Sequence, residues 1–147
     1  MKTHRHVVGM MFALATASHT SADPATDTCR LLAAIGGNDP NAVELALKDI
    51  GARWPEENVN RAIAQMKTVA SGDVFVGGNA YLISKLGDDM EEHLVVLRLK
   101  AGEISAMRLR YEWTPDGLKL VNLETKRSIA DILRNSYVRQ SPQVDCS

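Results

Sequence analysis

The chain is poor in the residue types on which most chemistry depends. Of its 147 residues, 2 are Cys, 4 are His and 5% are Phe, Trp or Tyr. His4, His6 and His19 fall near the start, so His93 is the one imidazole in the remainder. That excludes a histidine-rich metal site, and the carboxylates show no calcium-loop spacing. No G-x-S-x-G, no phosphate-binding glycine loop and no dinucleotide fingerprint occurs. There is no Cys-x-x-Cys pair, which argues against a redox-active dithiol. Neither sign of charge dominates, since 17 Lys and Arg face 18 Asp and Glu for a formal net charge of −1. Nucleic acid and polybasic contact with a membrane are therefore not expected. Past Ala22 no apolar run is long enough for a transmembrane helix.

What is present begins with a leader. Lys2 to His6 make a basic start, Val7 to Ala17 an apolar run, and Thr20-Ser21-Ala22 offers the small residues that a signal peptidase accepts. Residues 1–22 are read as a secretory signal and 23–147 as one domain, periplasmic or secreted, with no membrane attachment after signal removal. Losing Lys2 and Arg5 takes the net charge to about −3. No cysteine directly follows the small residues, so a lipid anchor is not expected. About 125 residues remain, enough for a sizeable core. Cys29 and Cys146 stand at opposite ends of that domain. In an oxidising compartment they read as one disulfide, stabilising by about 4–5 kcal/mol on the chain-entropy account. Two free thiols or an intermolecular bridge are the alternatives.

Proline and glycine punctuate three helices. Thr28 to Ile35 is a short one, ended by Gly36-Gly37. Asp39-Pro40 pairs a capping side chain with a first-turn proline, and Val43, Leu47 and Ile50 then share a face before Gly51. Pro55 opens a third helix, whose apolar stripe is Val59, Ala62, Ile63, Met66, Val69 and Ala70, before Gly72. From Asp73 the apolar period falls to 2. Four strands are predicted, over Val74–Leu86, Met90–Lys100, Glu103–Thr114 and Leu118–Lys126. Their separators are Gly87-Asp88-Asp89, Ala101-Gly102 and Pro115-Asp116-Gly117. Gly77-Gly78 within the first strand predicts a bulge or bend. Ser128 caps a short last helix with Ile129, Ile132 and Leu133 inward, and Arg134–Ser147 is an irregular tail pinned by Cys146. Short connections make neighbouring strands antiparallel. The fold class is α+β, with N-terminal helices packed on one face of a four-stranded antiparallel meander.

Turn geometry predicts the register. Three-residue loops ending in a left-handed glycine set Leu99 against Glu103 and Thr114 against Leu118. The core face then holds Val95, Leu97, Leu99, Met107, Leu109, Tyr111, Trp113, Val121 and Leu123. On the other face Glu92 lies opposite Arg110, itself opposite Asn122, and Arg108 opposite Glu124. Arg98, Arg108 and Arg110 share that face, but cross-strand carboxylates account for the latter two more simply than an anion groove. Leu82, Leu94, Val96, Ile104, Ala106, Leu118 and Leu120 make the same face apolar. It is expected to be covered by the tail or by a second copy, the homodimer face being Leu94, Val96, Ala106 and Leu120.

Asp88-Asp89 and Glu91-Glu92 form a carboxylate cluster, read as turn and solubility residues at a hairpin tip. His93 is predicted on the inner face beside Leu109 and Ile83, with Tyr81 and Tyr111 near. A histidine among tyrosines can orient a polar ligand or act as acid and base, whereas a core-edge histidine bonded to one hydroxyl is the plainer alternative. His93, Tyr81, Tyr111 and Trp113 are the candidate ligand-binding residues, and His93 with Tyr81 the candidate catalytic pair. Trp54 and Trp113 also read as core anchors. No cofactor and no metal is called for.

The element order and the ending Tyr111-Glu-Trp-Thr-Pro-Asp-Gly-Leu-Lys-Leu-Val-Asn-Leu resemble small exported proteins of the nuclear-transport-factor-two-like, or cystatin-like, superfamily. The resemblance spans roughly Pro40 to Leu133 and is architectural. It implies a cone in which helices close a curved sheet around a cavity that is filled, empty or catalytic. Such enzymes usually place an Asp/His or Asp/Tyr dyad in the cavity, and no inward acid is evident here beside His93.

Three functions follow as expectations. The first is a non-enzymatic exported domain that binds a small apolar or amphipathic ligand or a protein partner. The second is a cofactor-free lyase or isomerase using His93 with Tyr81 or Tyr111. The third is an envelope structural or interaction protein that dimerises through its outer sheet face.

Overall fold

The computed structural model describes residues 23–51, 54–70, 75–115, 117–134 and 142–147. The expected leader at 1–22, Gly72 to Val74, the expected turn residue Asp116 and positions 135–141 of the expected tail lie outside the described residues. The elements run α1 (Pro24–Gly36), α2 (Pro40–Ile50), α3 (Glu56–Ala70), β1 (Phe75–Leu86), β2 (Met90–Leu99), β3 (Ile104–Thr114), β4 (Gly117–Lys126) and α4 (Ile129–Ile132). The strands pair in chain order as one antiparallel sheet. This is the expected α+β arrangement. No helix among the described residues is long and apolar enough to cross a membrane.

Each helix has a local cause. Asp39 caps α2 by accepting from the Asn41 amide at 2.9 Å, and Pro40 fills the first turn, where no donor is needed. α1 begins at Pro24, four residues ahead of the expected Thr28 start, because Asp23-Pro24 repeats the same Asp-Pro opening. Ser128 precedes α4 but makes no side-chain cap, contrary to expectation. The core lies between α1–α3 and the inner sheet face. It contains Leu31 and Ile35, Val43 and Leu47, and Ile63 and Met66, packed on Val95, Leu97, Met107, Leu109 and Tyr111. α1 approaches β1 closely at Gly78, where a Cβ would lie 2.9 Å from Leu32 Cδ1 and 3.0 Å from the Val96 carbonyl.

The β2–β3 register is as expected, with Glu92 opposite Arg110 and the Leu99 amide donating to the Glu103 carbonyl at 2.9 Å. Two bulges alter the rest. In β4, Thr114 pairs with Gly117 rather than Leu118, and an extra residue at Val121 restores Arg110 to Asn122 and Arg108 to Glu124. Because side chains alternate with period 2, the segment before the bulge is turned over. Leu120 (2% exposed) and Leu118 therefore join the inner core, while Val121 is 40% exposed. Trp113, at the hairpin end of the sheet, is 60% exposed and anchors no core. In β1 a shift between Leu82 and Ser84 does the same, so Leu82 pairs with His93, and Tyr81 and Ile83 pack on the outer face. The shift expected at Gly77-Gly78 occurs one residue earlier, at Val76.

The outer apolar patch is covered by the chain itself. Leu94, Val96 and Ala106 are buried with Ile132 of α4, and Leu120 lies on the opposite face, so the four residues expected to form a dimer surface do not form one patch. The C-terminal segment instead runs along the free edge of β1. The Leu82 amide donates to the Pro142 carbonyl at 3.0 Å and the Val144 amide to the Ala80 carbonyl at 2.9 Å. A disulfide joins Cys29 of α1 to Cys146 across 117 positions and holds that segment in place.

Gly117 has φ +93°, which a branched side chain resists. Gly117→Val is expected to lower stability by about 1–2 kcal/mol in urea denaturation. An unchanged midpoint would contradict the turn.

Candidate functional site

The polar residues of the inner face gather where the start of β2 meets the end of β3, away from the β2–β3 turn. α1 presents its buried stripe of Pro24, Asp27, Thr28, Leu31 and Ile35 over that end. Thr28 Oγ1 lies 2.7 Å from His93 Nδ1 and 2.9 Å from the Tyr111 hydroxyl. The two rings are 5.5 Å apart. Glu91 Oε2 stands 4.0 Å from His93 Nε2, and Glu91 Oε1 accepts from Lys85 at 2.6 Å. A carboxylate beside Nε2 favours the tautomer with its proton there. Nδ1 then accepts from the Thr28 hydroxyl, which accepts in turn from Tyr111. One threonine thus satisfies two buried rings.

This hub is closed. Thr28 and Tyr111 are 0% exposed and His93 is 2% exposed. Burial lowers the His93 pKa below its ordinary 6.5, against the opposing pull of Glu91 and Asp23. Burial also raises the Tyr111 pKa, which keeps the phenol protonated. Asp27, 5% exposed, is raised by desolvation, with Arg30 and Lys119 opposing.

Folding favours the neutral imidazole, so the contribution of His93 to stability is complete above pH 6.5 and is lost as pH falls through its lowered folded value. Asp27 acts in the opposite sense, since its raised pKa takes stability away as pH rises above the ordinary 3.8. A His93→Gln comparison isolates the first effect. Wild type should lose urea resistance as pH falls below 6.5, and the variant should lose less. Parallel profiles would contradict the assignment.

The candidate residues are therefore only partly brought together. His93 and Tyr111 meet through Thr28, as expected of residues on one face. Tyr81 packs in the outer cluster and Trp113 is exposed at the hairpin end, so neither joins them. Glu91 and Glu92, 8% and 6% exposed, are buried partners rather than solvated turn residues, unlike exposed Asp88 and Asp89. Glu92 takes both arginines, Arg110 Nε at 2.7 Å and Arg108 Nε at 3.4 Å. Glu124 pairs instead with Lys126 at 3.3 Å. Asp27 and Thr28 are the inward residues that pattern reading missed. Asp23-Pro24 marked the helix start, and spacing from Pro24 through Thr28 to Ile35 would have placed both on the buried stripe.

The open sites lie elsewhere. A groove of about 320 Å³ separates α3 from β4, with Asn58, Arg61 and Gln65 along one wall and Val121 to Thr125 along the other. Trp54 sits at its end, its indole Nε1 buried without an acceptor among the described residues. A more apolar depression of about 530 Å³ lies between α1 and α2 around Leu45, which is 69% exposed. Among the described residues no group of three or more His, Cys, Asp or Glu is placed to hold a metal ion. Comparison with family models, with curated proteins and with solved structures finds no match to this chain.

Proposed function

We propose that the protein is an exported, non-enzymatic binding domain whose ligand or partner seats in the groove between α3 and β4. One contrast carries this reading: the single imidazole of the domain is spent on Thr28 and closed to solvent, whereas the groove stands open. A general base must reach its substrate, and His93 offers no face for one in this conformation. That closure weighs against the second expectation, a lyase or isomerase built on His93. The groove has the mixed lining of a recognition site, with Trp54 and Val121 for apolar contact and Asn58, Arg61 and Asn122 for polar contact. Export is supported by the leader and by the disulfide, which belongs in an oxidising periplasm or outside the cell. Three helices followed by a meander also suit the non-catalytic members of the nuclear-transport-factor-two-like superfamily that the sequence resembles.

The test uses anilinonaphthalene sulfonate, a small amphipathic anion, and the emission of Trp54 in a Trp113→Phe background. Saturable quenching that is lost in Val121→Asp is the expected result. Quenching that is absent, or indifferent to Val121→Asp, would remove the groove as a binding site.

A further inference from the structure

The groove is bounded by a sheet edge, and the two edges of this sheet are treated differently. β1 is closed by the chain's own C-terminal segment, through the Tyr81–Gln143 bridge and the Cys29–Cys146 disulfide. β4 is the other edge, and no described strand pairs with its outer side. Edge strands offer a row of backbone donors and acceptors, and chains commonly cover or disrupt them. Here the bulge at Val121 disrupts only the start of β4. From Asn122 to Lys126 the pairing with β3 is regular, so five consecutive residues keep a straight outer edge. That stretch forms one wall of the groove, and α3 runs along the other side.

From this we infer that the groove takes an extended acidic peptide segment of a protein partner, which adds to the sheet as a strand beside β4. The inference rests on the groove being the binding site and names what fills it. Strand addition supplies affinity through the backbone and specificity through alternate side chains. The charge of the occupant follows from Arg61: of the two charged residues that line the groove, Glu124 is paired with Lys126 at 3.3 Å, whereas Arg61 pairs with no carboxylate among the described residues. The side-chain amides of Asn58 and Asn122 suit peptide groups better than an acyl chain, while Gln65 accepts from the Thr125 hydroxyl at 3.4 Å and closes that end of the groove.

Selection from displayed random octapeptides on the purified protein tests this. Enriched sequences should be acidic and free of proline, because proline removes a ladder donor. The best binder should shift the amide resonances of Asn122 to Lys126 and the Trp54 indole. Methylating alternate backbone nitrogens of that peptide should abolish binding. Arg61 is exposed, so R61E should melt with wild type yet bind at least tenfold more weakly. Replacing the peptide's acid with lysine should restore binding to R61E. Any of three results would overturn the inference: no enrichment over R61E, binding unaffected by methylation, or shifts confined to the depression around Leu45. If the amphipathic probe still binds while peptides fail, the groove remains a ligand site and only strand addition is lost. If both fail, the groove is not a site.

Discussion

Reducing the Cys29–Cys146 disulfide, or replacing both cysteines with serine, should lower the melting temperature by about 15 °C. The bond closes a loop of 117 positions. On the chain-entropy account that constraint stabilises by about 4–5 kcal/mol, and a domain of this size loses a few degrees per kcal/mol. The effect should also be local. Among the described residues, two backbone hydrogen bonds hold the terminal segment on β1, Leu82 N–H to Pro142 and Val144 N–H to Ala80. Without the bond the Val144 amide should exchange freely, while the central strand amides of β2 keep their protection. Scanning calorimetry and hydrogen exchange on the oxidised and reduced protein read the two effects together. Equal melting temperatures would mean that the segment is anchored by packing alone.

The second large effect belongs to Thr28. Its hydroxyl is the shared partner of His93 and Tyr111, and all three side chains are buried. Thr28→Val preserves shape and removes the oxygen, leaving a ring nitrogen and a phenol without partners in a closed site. Each orphaned group costs roughly 1–3 kcal/mol, so a loss of about 2–4 kcal/mol is expected in urea denaturation. Thr28→Ser keeps the hydroxyl and should recover most of it. A loss as large in serine as in valine would assign the cost to the missing methyl and not to the hydrogen bonds.

Much of the fold was legible because its punctuation is chemical. Asp39-Pro40 starts α2 and Gly51 follows its end. Gly87, Gly102 and Gly117, all at positive φ, mark the three hairpin turns. Where no bulge intervenes the alternation of apolar residues placed side chains correctly, as for Val95, Leu97, Met107 and Leu109. The reversed faces in β1 and β4 trace to two inserted residues. Ile83 and Val121 are ordinary β formers with nothing in their chemistry to announce a bulge, yet each reverses the face of its neighbours. Tyr81 was thereby moved away from His93, and Leu118 and Leu120 moved into the core.

The candidate site was less legible than the fold, for a related reason. His93 and Tyr111 are recognisable as one-face residues, but what closes them comes from a helix more than sixty positions away. No local pattern announces that Thr28 will meet His93. It follows from where the first turns of α1 land on the sheet, which the stripe from Pro24 to Ile35 decides. The groove was invisible for the opposite reason. It depends on Val121 facing outward, which only the bulge allows.

A side-chain NMR titration of His93, the sole imidazole of residues 23–147, bears most directly on the closed hub. At neutral pH the ring should be uncharged, with its proton on Nε2 and Nδ1 accepting from Thr28. It should titrate below 6.5 and resist acylation by diethyl pyrocarbonate while the protein stays folded. A ring that exchanges tautomers, titrates at or above 6.5 and is acylated rapidly would show an open site, and the case against catalysis at His93 would collapse.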